Sequence, residues 1–69
     1  MKIAADLEKE FYAVVAKAPE SIRDAVEMHA LANSWTVEVY HEYDSDVERW
    51  ETAISTALVI IDAPSDYGL

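Results

Sequence analysis

Apolar residues recur at helical spacing over the first part of the chain. Residues 3–17 repeat them at i, i+3, i+4 and i+7, which is typical of an amphipathic helix. The apolar members of this stripe are Ile3, Ala4, Leu7, Phe11, Val14, Val15 and Ala18. Polar residues occupy the opposite side, and Pro19 either ends this helix or opens the next one, because proline is disfavoured inside a helix and tolerated at its first turn. The pattern therefore predicts a first helix over 3–17.

The next segment predicts a second helix over residues 20–32. Ser21 and Asp24 are three residues apart, which is an N-terminal capping signal. The residues that follow are broadly apolar. Asn33 and Ser34 then give a plausible stop, because short polar side chains compete for backbone hydrogen bonds.

The pattern changes period at residues 35–43. Apolar and polar residues alternate here, and several are β-branched or aromatic, which favours a strand with one buried face. On that interpretation Glu38, Tyr40 and Glu42 lie together on the polar face. We expect Tyr40 to be exposed and to serve as a binding anchor, since tyrosine is favoured at binding hot spots.

Helical spacing returns after this predicted strand. Ser45 and Glu48 form a capping box, and apolar residues recur at helical spacing up to Ala57, so a third helix is predicted near 46–57. Residues 58–62 either continue that helix or form a short strand. A strand near 35–43 needs a partner, which favours the second option.

Taken together, these elements predict one small α+β domain over residues 1–69. It contains two helices, a strand, a third helix and a short C-terminal strand. Residues 63–69 are expected to form a loose tail, although Tyr67 and Leu69 could pack back onto the domain.

Composition narrows the class of protein. A chain of 69 residues has room for one core, and without cysteine it has no disulfide framework or thiolate site. The longest apolar run, Ala57–Ile61, is far shorter than the roughly 20 residues that a membrane helix needs. Acids among the first ten residues argue against a signal peptide. We expect a soluble intracellular protein, with no membrane partner.

Charge is the strongest compositional signal. The net charge is -9, and residues 35–69 carry eight acids against one base, Arg49. Residues 1–34 carry six acids and four bases. The two parts therefore hold -7 and -2. Such a field repels nucleic acid and attracts basic surfaces, so we expect no direct binding to nucleic acid.

Motifs for metal binding and catalysis fail at particular residues. A calcium loop beginning at Asp44 would need glycine and a carboxylate where Arg49 and Ser55 stand. A zinc helix beginning at His41 lacks its second histidine. Gly68 is the only glycine, which excludes nucleophile elbows and phosphate-binding glycine loops. We therefore predict no enzyme, no catalytic residue, no cofactor and no metal site.

The acyl carrier proteins offer another short, acidic comparison. Asp44 and Ser45 before Val47 are similar in outline to the modified serine of that family at the start of a helix. The family has leucine after this serine, whereas this chain has Asp46. A strand over 35–43 is also foreign to a four-helix carrier. We do not favour this interpretation.

One group of residues is left without a structural explanation. Helix capping and the helix dipole account for acids beside a helix N-terminus, including Glu48. They do not explain the strand acids or Glu51. We name the predicted partner-binding set the acidic patch; it consists of Glu38, Tyr40, Glu42, Asp44, Asp46 and Glu51.

A small, acidic, cysteine-free domain with one charge-dense face resembles the phage-encoded DNA mimics, which include anti-CRISPR and anti-restriction proteins. The likeness covers the whole chain in size and charge, and it involves no shared motif. It implies that the carboxylates of the acidic patch stand where DNA phosphates would sit in a basic channel of a CRISPR effector complex. A type I multi-subunit effector is the implied target. The protein would act as a monomer or weak homodimer.

A second class of function stays open from the sequence. The chain could be a non-enzymatic adaptor or an antitoxin-like module that binds its partner through the apolar face of a helix or through a strand edge. Steep salt dependence of binding distinguishes the mimic from this alternative.

Overall fold

The structure, a computed structural model, describes residues 3–41 and 46–69, with side chains described at 3–34 and 47–69. Within these residues the chain forms three α-helices and two short 3-10 helices. The α-helices are α1 (Ala4–Val15), α2 (Arg23–His41) and α3 (Asp46–Asp62). The 3-10 helices are Glu20–Ile22 before α2 and Pro64–Tyr67 after α3.

Helix α3 is the centre of the packing. It lies against both α1 and α2, which contact each other much less. The buried core draws on all three helices and the α1–α2 connection; it consists of Phe11, Val14, Val15, Ala18, Val26, Ala30, Ala53, Ala57 and Ile60. Alanine supplies the contacts at Ala30, Ala53 and Ala57, so the α2 and α3 backbones can approach closely. Phe11 is the largest fully buried side chain.

The connection between α1 and α2 is fixed by an arginine. The guanidinium Nη2 of Arg23 donates hydrogen bonds to the carbonyl oxygens of Ala16, at 3.2 Å, and Ala18, at 2.9 Å. Carbonyls at the end of a helix have no partner within the helix and need one elsewhere. Arg23, the first residue of α2, therefore caps the end of α1 and fixes the connection between the two helices.

The predicted strand over 35–43 is wrong up to His41, because α2 continues through it. The helix does not end at Asn33 and Ser34 as expected, because both side chains form hydrogen bonds within the helical structure. Ser34 Oγ donates to the Leu31 carbonyl at 2.8 Å, and Asn33 Nδ2 donates to Thr56 Oγ1 of α3 at 2.9 Å. The remaining positions of the predicted strand, 42 and 43, lie outside the described residues.

The predicted C-terminal strand over 58–62 is also wrong, because α3 runs on to Asp62. Ala53, Ala57 and Ile60 are each fully buried, and their spacing is that of one helix face. In contrast, Leu58 is 48% exposed, although a strand would place it on the same face as Ile60. The predicted α+β class is therefore incorrect, and the described residues form an all-α fold.

The C-terminal residues lie over the side of the molecule formed by α2 and α3. The Tyr67 ring lies 6.3 Å, centroid to centroid, from the His29 ring of α2. Gly68 adopts a positive φ of 76°, and the Leu69 amide donates to the Pro64 carbonyl at 3.1 Å. Leu69 packs against the core.

Candidate functional site

Carboxylates cover the described surface. Each acid whose side chain is described is at least partly exposed. The exposed ones are Asp6, Glu8, Glu20, Asp24, Glu48, Glu51, Asp62 and Asp66. They come from all three helices and both 3-10 helices or their neighbours. The negative charge expected from composition therefore reaches solvent around the fold.

Basic side chains are much less available at the surface. Lys9 and Lys17 are exposed, whereas Arg23 and Arg49 are half-buried. The Arg23 guanidinium is also directed at the backbone carbonyls that end α1. Among the described side chains, no lysine or arginine after Lys17 is exposed. Apart from the half-buried Arg23 and Arg49, the formally charged side chains described from α2 onward are thus all carboxylates.

The acidic patch predicted from the sequence is only partly described. Glu51 is exposed on α3. The backbone at Glu38 and Tyr40 is helical, and Asp46 begins α3, whereas Glu42 and Asp44 lie outside the described residues. The strand geometry that aligned Glu38 with Tyr40 is wrong, because positions two apart lie roughly 200° apart around a helix. The role of these residues in partner binding stays a prediction.

Two grooves follow the opposite sides of α3 and share Ser55. We call the first the α1–α3 groove; it has a volume of about 290 Å³. Its lining residues are Leu7, Glu10, Glu51, Ile54, Ser55 and Leu58. Carboxylates thus enter the groove from both helices, and apolar side chains supply most of the remaining wall.

The second groove, the α2–α3 cleft, has a volume of about 340 Å³. It is lined by His29, Asn33, Ser55, Thr56, Val59, Ile60 and Tyr67. The hydrogen bond that Asn33 Nδ2 donates to Thr56 Oγ1 lies in this cleft, so these two polar side chains already interact with each other. Among the described residues that line it, no carboxylate is present to orient His29. His29 shares the cleft with the hydroxyl groups of Ser55 and Thr56.

Sequence reasoning missed the α1–α3 groove and two of its residues. From the sequence, Glu10 is expected among the polar residues on the outer side of the first helix, and Leu58 in the favoured short strand over 58–62. The missing signal was the helical spacing of Glu51, Ile54 and Leu58, which puts them on one face of a continuous helix. It becomes visible once α3 is extended beyond Ala57.

No protein-family model, curated protein or solved structure matches this chain. Within the described residues, no three or more histidine and carboxylate side chains are grouped so that they could hold a metal ion. In the same part of the chain, no helix combines the length and the apolar character needed to cross a membrane.

Proposed function

We propose that this protein is a non-enzymatic acidic inhibitor that occupies a basic, nucleic-acid-binding surface of another protein in a bacterial cytoplasm. The target that we propose is a CRISPR effector complex, and the first candidate to test is a type I multi-subunit effector. One observation carries the proposal. Beyond Lys17, every described and exposed side chain with a formal charge is a carboxylate.

The amount of charge suits a substitute for nucleic acid. The long axis of the molecule measures 33 Å, and the chain carries a net charge of -9. One strand of DNA carries a phosphate about every 3.4 Å, so it would carry about 10 over that length. The protein thus matches one DNA strand, and about half of a duplex, in charge per length, which supports occupancy of part of a channel built for nucleic acid.

Competition is the mechanism that follows. A basic channel attracts the protein over long range. The bound protein then excludes DNA, because both would bind the same lysine and arginine side chains of the channel. The carboxylates sit on packed helices, so little backbone ordering is needed on binding, whereas each side chain that becomes fixed costs about 0.5–1.5 kcal/mol. Inhibition would need no chemistry and no cofactor.

A second candidate function rests on exposed apolar residues. Leu58, Val59 and Met28 are 48%, 52% and 70% exposed. These side chains favour the adaptor or antitoxin-like module, in the form that uses a helix face. The form that uses a strand edge is no longer proposed, because the predicted strand is helical up to His41.

The salt dependence of binding separates the two functions. We would measure the Kd for a purified type I effector complex between about 50 and about 200 mM salt, where screening of exposed charges increases. The proposal expects at least a roughly tenfold loss of affinity, mainly through slower association. Binding that is constant across this range, and that is lost when Leu58 and Val59 are changed to serine, would favour the adaptor.

Charge reversal gives the matching test on the protein side. Glu48, Glu51 and Asp62 are exposed on α3, so changing all three to lysine should keep the fold, with a loss of about 1 kcal/mol because lysine at position 48 places a positive charge near the N-terminus of α3. We expect the triple variant to lose binding to the effector. A variant with glutamine or asparagine at the same positions should show an intermediate loss, since it removes charge without adding repulsion.

A further inference from the structure

We infer that the exposed face of α3 is the surface that meets the partner, and that it binds a segment rich in lysine and arginine with an apolar side chain between its cations. We call this face the α3 ridge; it consists of Glu48, Glu51, Ser55, Leu58, Val59 and Asp62. The inference rests on the proposed function in one respect, namely that the partner is basic.

Every exposed side chain described on α3 belongs to the ridge. At 3.6 residues per turn, these positions fall within an arc of roughly 100° around the helix axis. The buried residues Ala53 and Ala57 lie on the opposite side of the helix. Because α1 and α2 pack on either flank of α3, the ridge stands between them as a helix face that no described element covers. From Glu48 to Asp62 it runs about 21 Å, at 1.5 Å per residue.

Charge and exposure together define what the ridge can bind. No hydrogen bond or ion pair joins the carboxylates of Glu48, Glu51 or Asp62 to another described side chain. Leu58 and Val59 lie between Glu51 and Asp62 and expose 48% and 52% of their surface. A lysine or arginine side chain has an apolar stem and a charged end, so it can cover this apolar area and reach a neighbouring carboxylate. An apolar centre with a polar border is also the layout of protein interfaces.

The other described helix faces match a basic partner less well. The outer face of α1 carries two exposed bases, Lys9 and Lys17, on either side of Ala13. They would repel the cations of the partner. The described side chains of α2 include one exposed carboxylate, Asp24, against three on α3. The ridge is therefore the described helix face on which several exposed carboxylates occur without an exposed base.

Two other occupants fit the ridge less well. A second copy of this chain would bring its own net charge of -9 and set carboxylates against carboxylates. The C-terminal segment of the same chain is held elsewhere, because Tyr67 lines the α2–α3 cleft and its ring contacts that of His29. A cationic partner segment remains the occupant with matching chemistry.

The first test uses a synthetic peptide as the probe, an amphipathic leucine–lysine helix of roughly 18 residues, long enough to be helical. The ridge variant combines three changes: Glu48→Lys, Glu51→Lys and Asp62→Lys. The matched control makes the same total change of charge at exposed acids outside the ridge: Glu8→Lys, Asp24→Lys and Asp66→Lys. Each set alters one acid near a helix N-terminus, so the two variants lose similar stability.

Fluorescence anisotropy gives the Kd of the peptide, and amide chemical shifts locate it on the protein. We expect the ridge variant to bind at least about a hundredfold more weakly, because attraction at the contact becomes repulsion. The control should lose less than about tenfold, through the change of net charge alone.

A single pair of substitutions tests the apolar part of the ridge. Leu58→Ser should weaken peptide binding at least about fivefold through lost apolar contact. The control is Met28→Ser on α2, which removes an apolar side chain that is 70% exposed outside the ridge. It should leave the Kd nearly unchanged.

The absence of cysteine from the chain permits a steric test. A single cysteine replaces an exposed small residue, either within the ridge, Ser55→Cys, or on the outer face of α1, Ala13→Cys. Each variant is then coupled to a polyethylene glycol maleimide. We expect coupling at position 55 to weaken binding of the peptide and of the effector at least about tenfold, and coupling at position 13 less than about twofold, since only the first polymer obstructs the ridge. The uncoupled variants and far-UV circular dichroism control for the substitutions themselves.

Four results would overturn the docking surface. They are equal losses for the two triple variants, equal losses for the two serine variants, equal losses for the two coupled proteins, and no peptide binding at about 50 mM salt, where charge attraction is strong. Each leaves the proposed function standing if the unchanged protein still binds the effector with steep salt dependence. Conversely, binding of the peptide to the ridge without any binding to the effector would refute the proposed function alone.

Discussion

The extension of α3 through residues 58–62 can be tested by comparing two alanine substitutions. Ile60 is fully buried against α1 and α2, whereas Leu58 is 48% exposed. A helix gives these positions different environments, since they are two residues apart. A strand would put both on the same face and bury them alike. Ile60→Ala and Leu58→Ala therefore separate the two structures.

The expected losses follow from burial. Removing a buried isoleucine side chain to alanine costs about 2–5 kcal/mol of unfolding free energy, because a cavity remains in the core. At Leu58, half of the removed surface is already in water, so the loss is about 1 kcal/mol. A 69-residue chain has a total stability of about 3–10 kcal/mol at typical values per residue. Ile60→Ala thus removes a large share of it, and Ile60→Val, at about 0.5–1.5 kcal/mol, provides a milder variant.

Urea unfolding followed by circular dichroism measures these differences. The midpoint should fall much further for Ile60→Ala than for Leu58→Ala, with the slope against urea unchanged. If Ile60→Ala leaves no folded baseline, the comparison uses Ile60→Val against Leu58→Val. Equal losses at positions 58 and 60 would show that the helical register of α3 is wrong.

Two further substitutions test contacts outside α3. Arg23→Met should cost about 2 kcal/mol of unfolding free energy, because it removes charged hydrogen bonds to the Ala16 and Ala18 carbonyls. Thermal melts would compare it with Lys17→Met, which removes the same charge at an exposed site; equal shifts in Tm would contradict the capping role. Gly68→Ala should cost about 1 kcal/mol, since its φ of 76° is strained for other residues while the space around its Cβ position is open. Protection of the Leu69 amide from hydrogen exchange measures this change, and full protection in the variant would refute it.

The sequence predicted helices where periodicity agreed with packing. The stripe that leads to Phe11, Val14 and Val15 places the buried face of α1 correctly. Helix α3 likewise begins at Asp46, close to the predicted start, and Ala53 and Ala57 of its apolar stripe are buried. In both places a local pattern is enough, because the same residues that favour a helix also meet the core.

The prediction failed where distant contacts override local preference. Alternation over 35–43 favours a strand, yet α2 runs to His41. The side chain of Asn33, expected to end the helix, is held by Thr56, which is 23 residues away in sequence. No local pattern contains that contact. Strand propensity describes how a residue fits a pleated, half-buried surface, and the described part of this chain provides no sheet for it.

The candidate site was predictable in its charge and not in its shape. The excess of acids is a sum over the sequence, and exposure of residues such as Glu51 follows from any compact fold. The use of Arg23 to cap α1 and the meeting of Glu10 with Glu51 in one groove both depend on how α1 packs. Neither feature can therefore be predicted from the sequence alone.

Competition with DNA tests the central claim most directly. A labelled duplex bound to a purified type I effector complex would be titrated with this protein, and with the triple lysine variant at Glu48, Glu51 and Asp62 as control. The account predicts that the protein displaces the duplex, that the apparent Kd for DNA rises in proportion to protein concentration, and that the variant does neither. A stable complex that contains the protein and the DNA together on the same effector would contradict it.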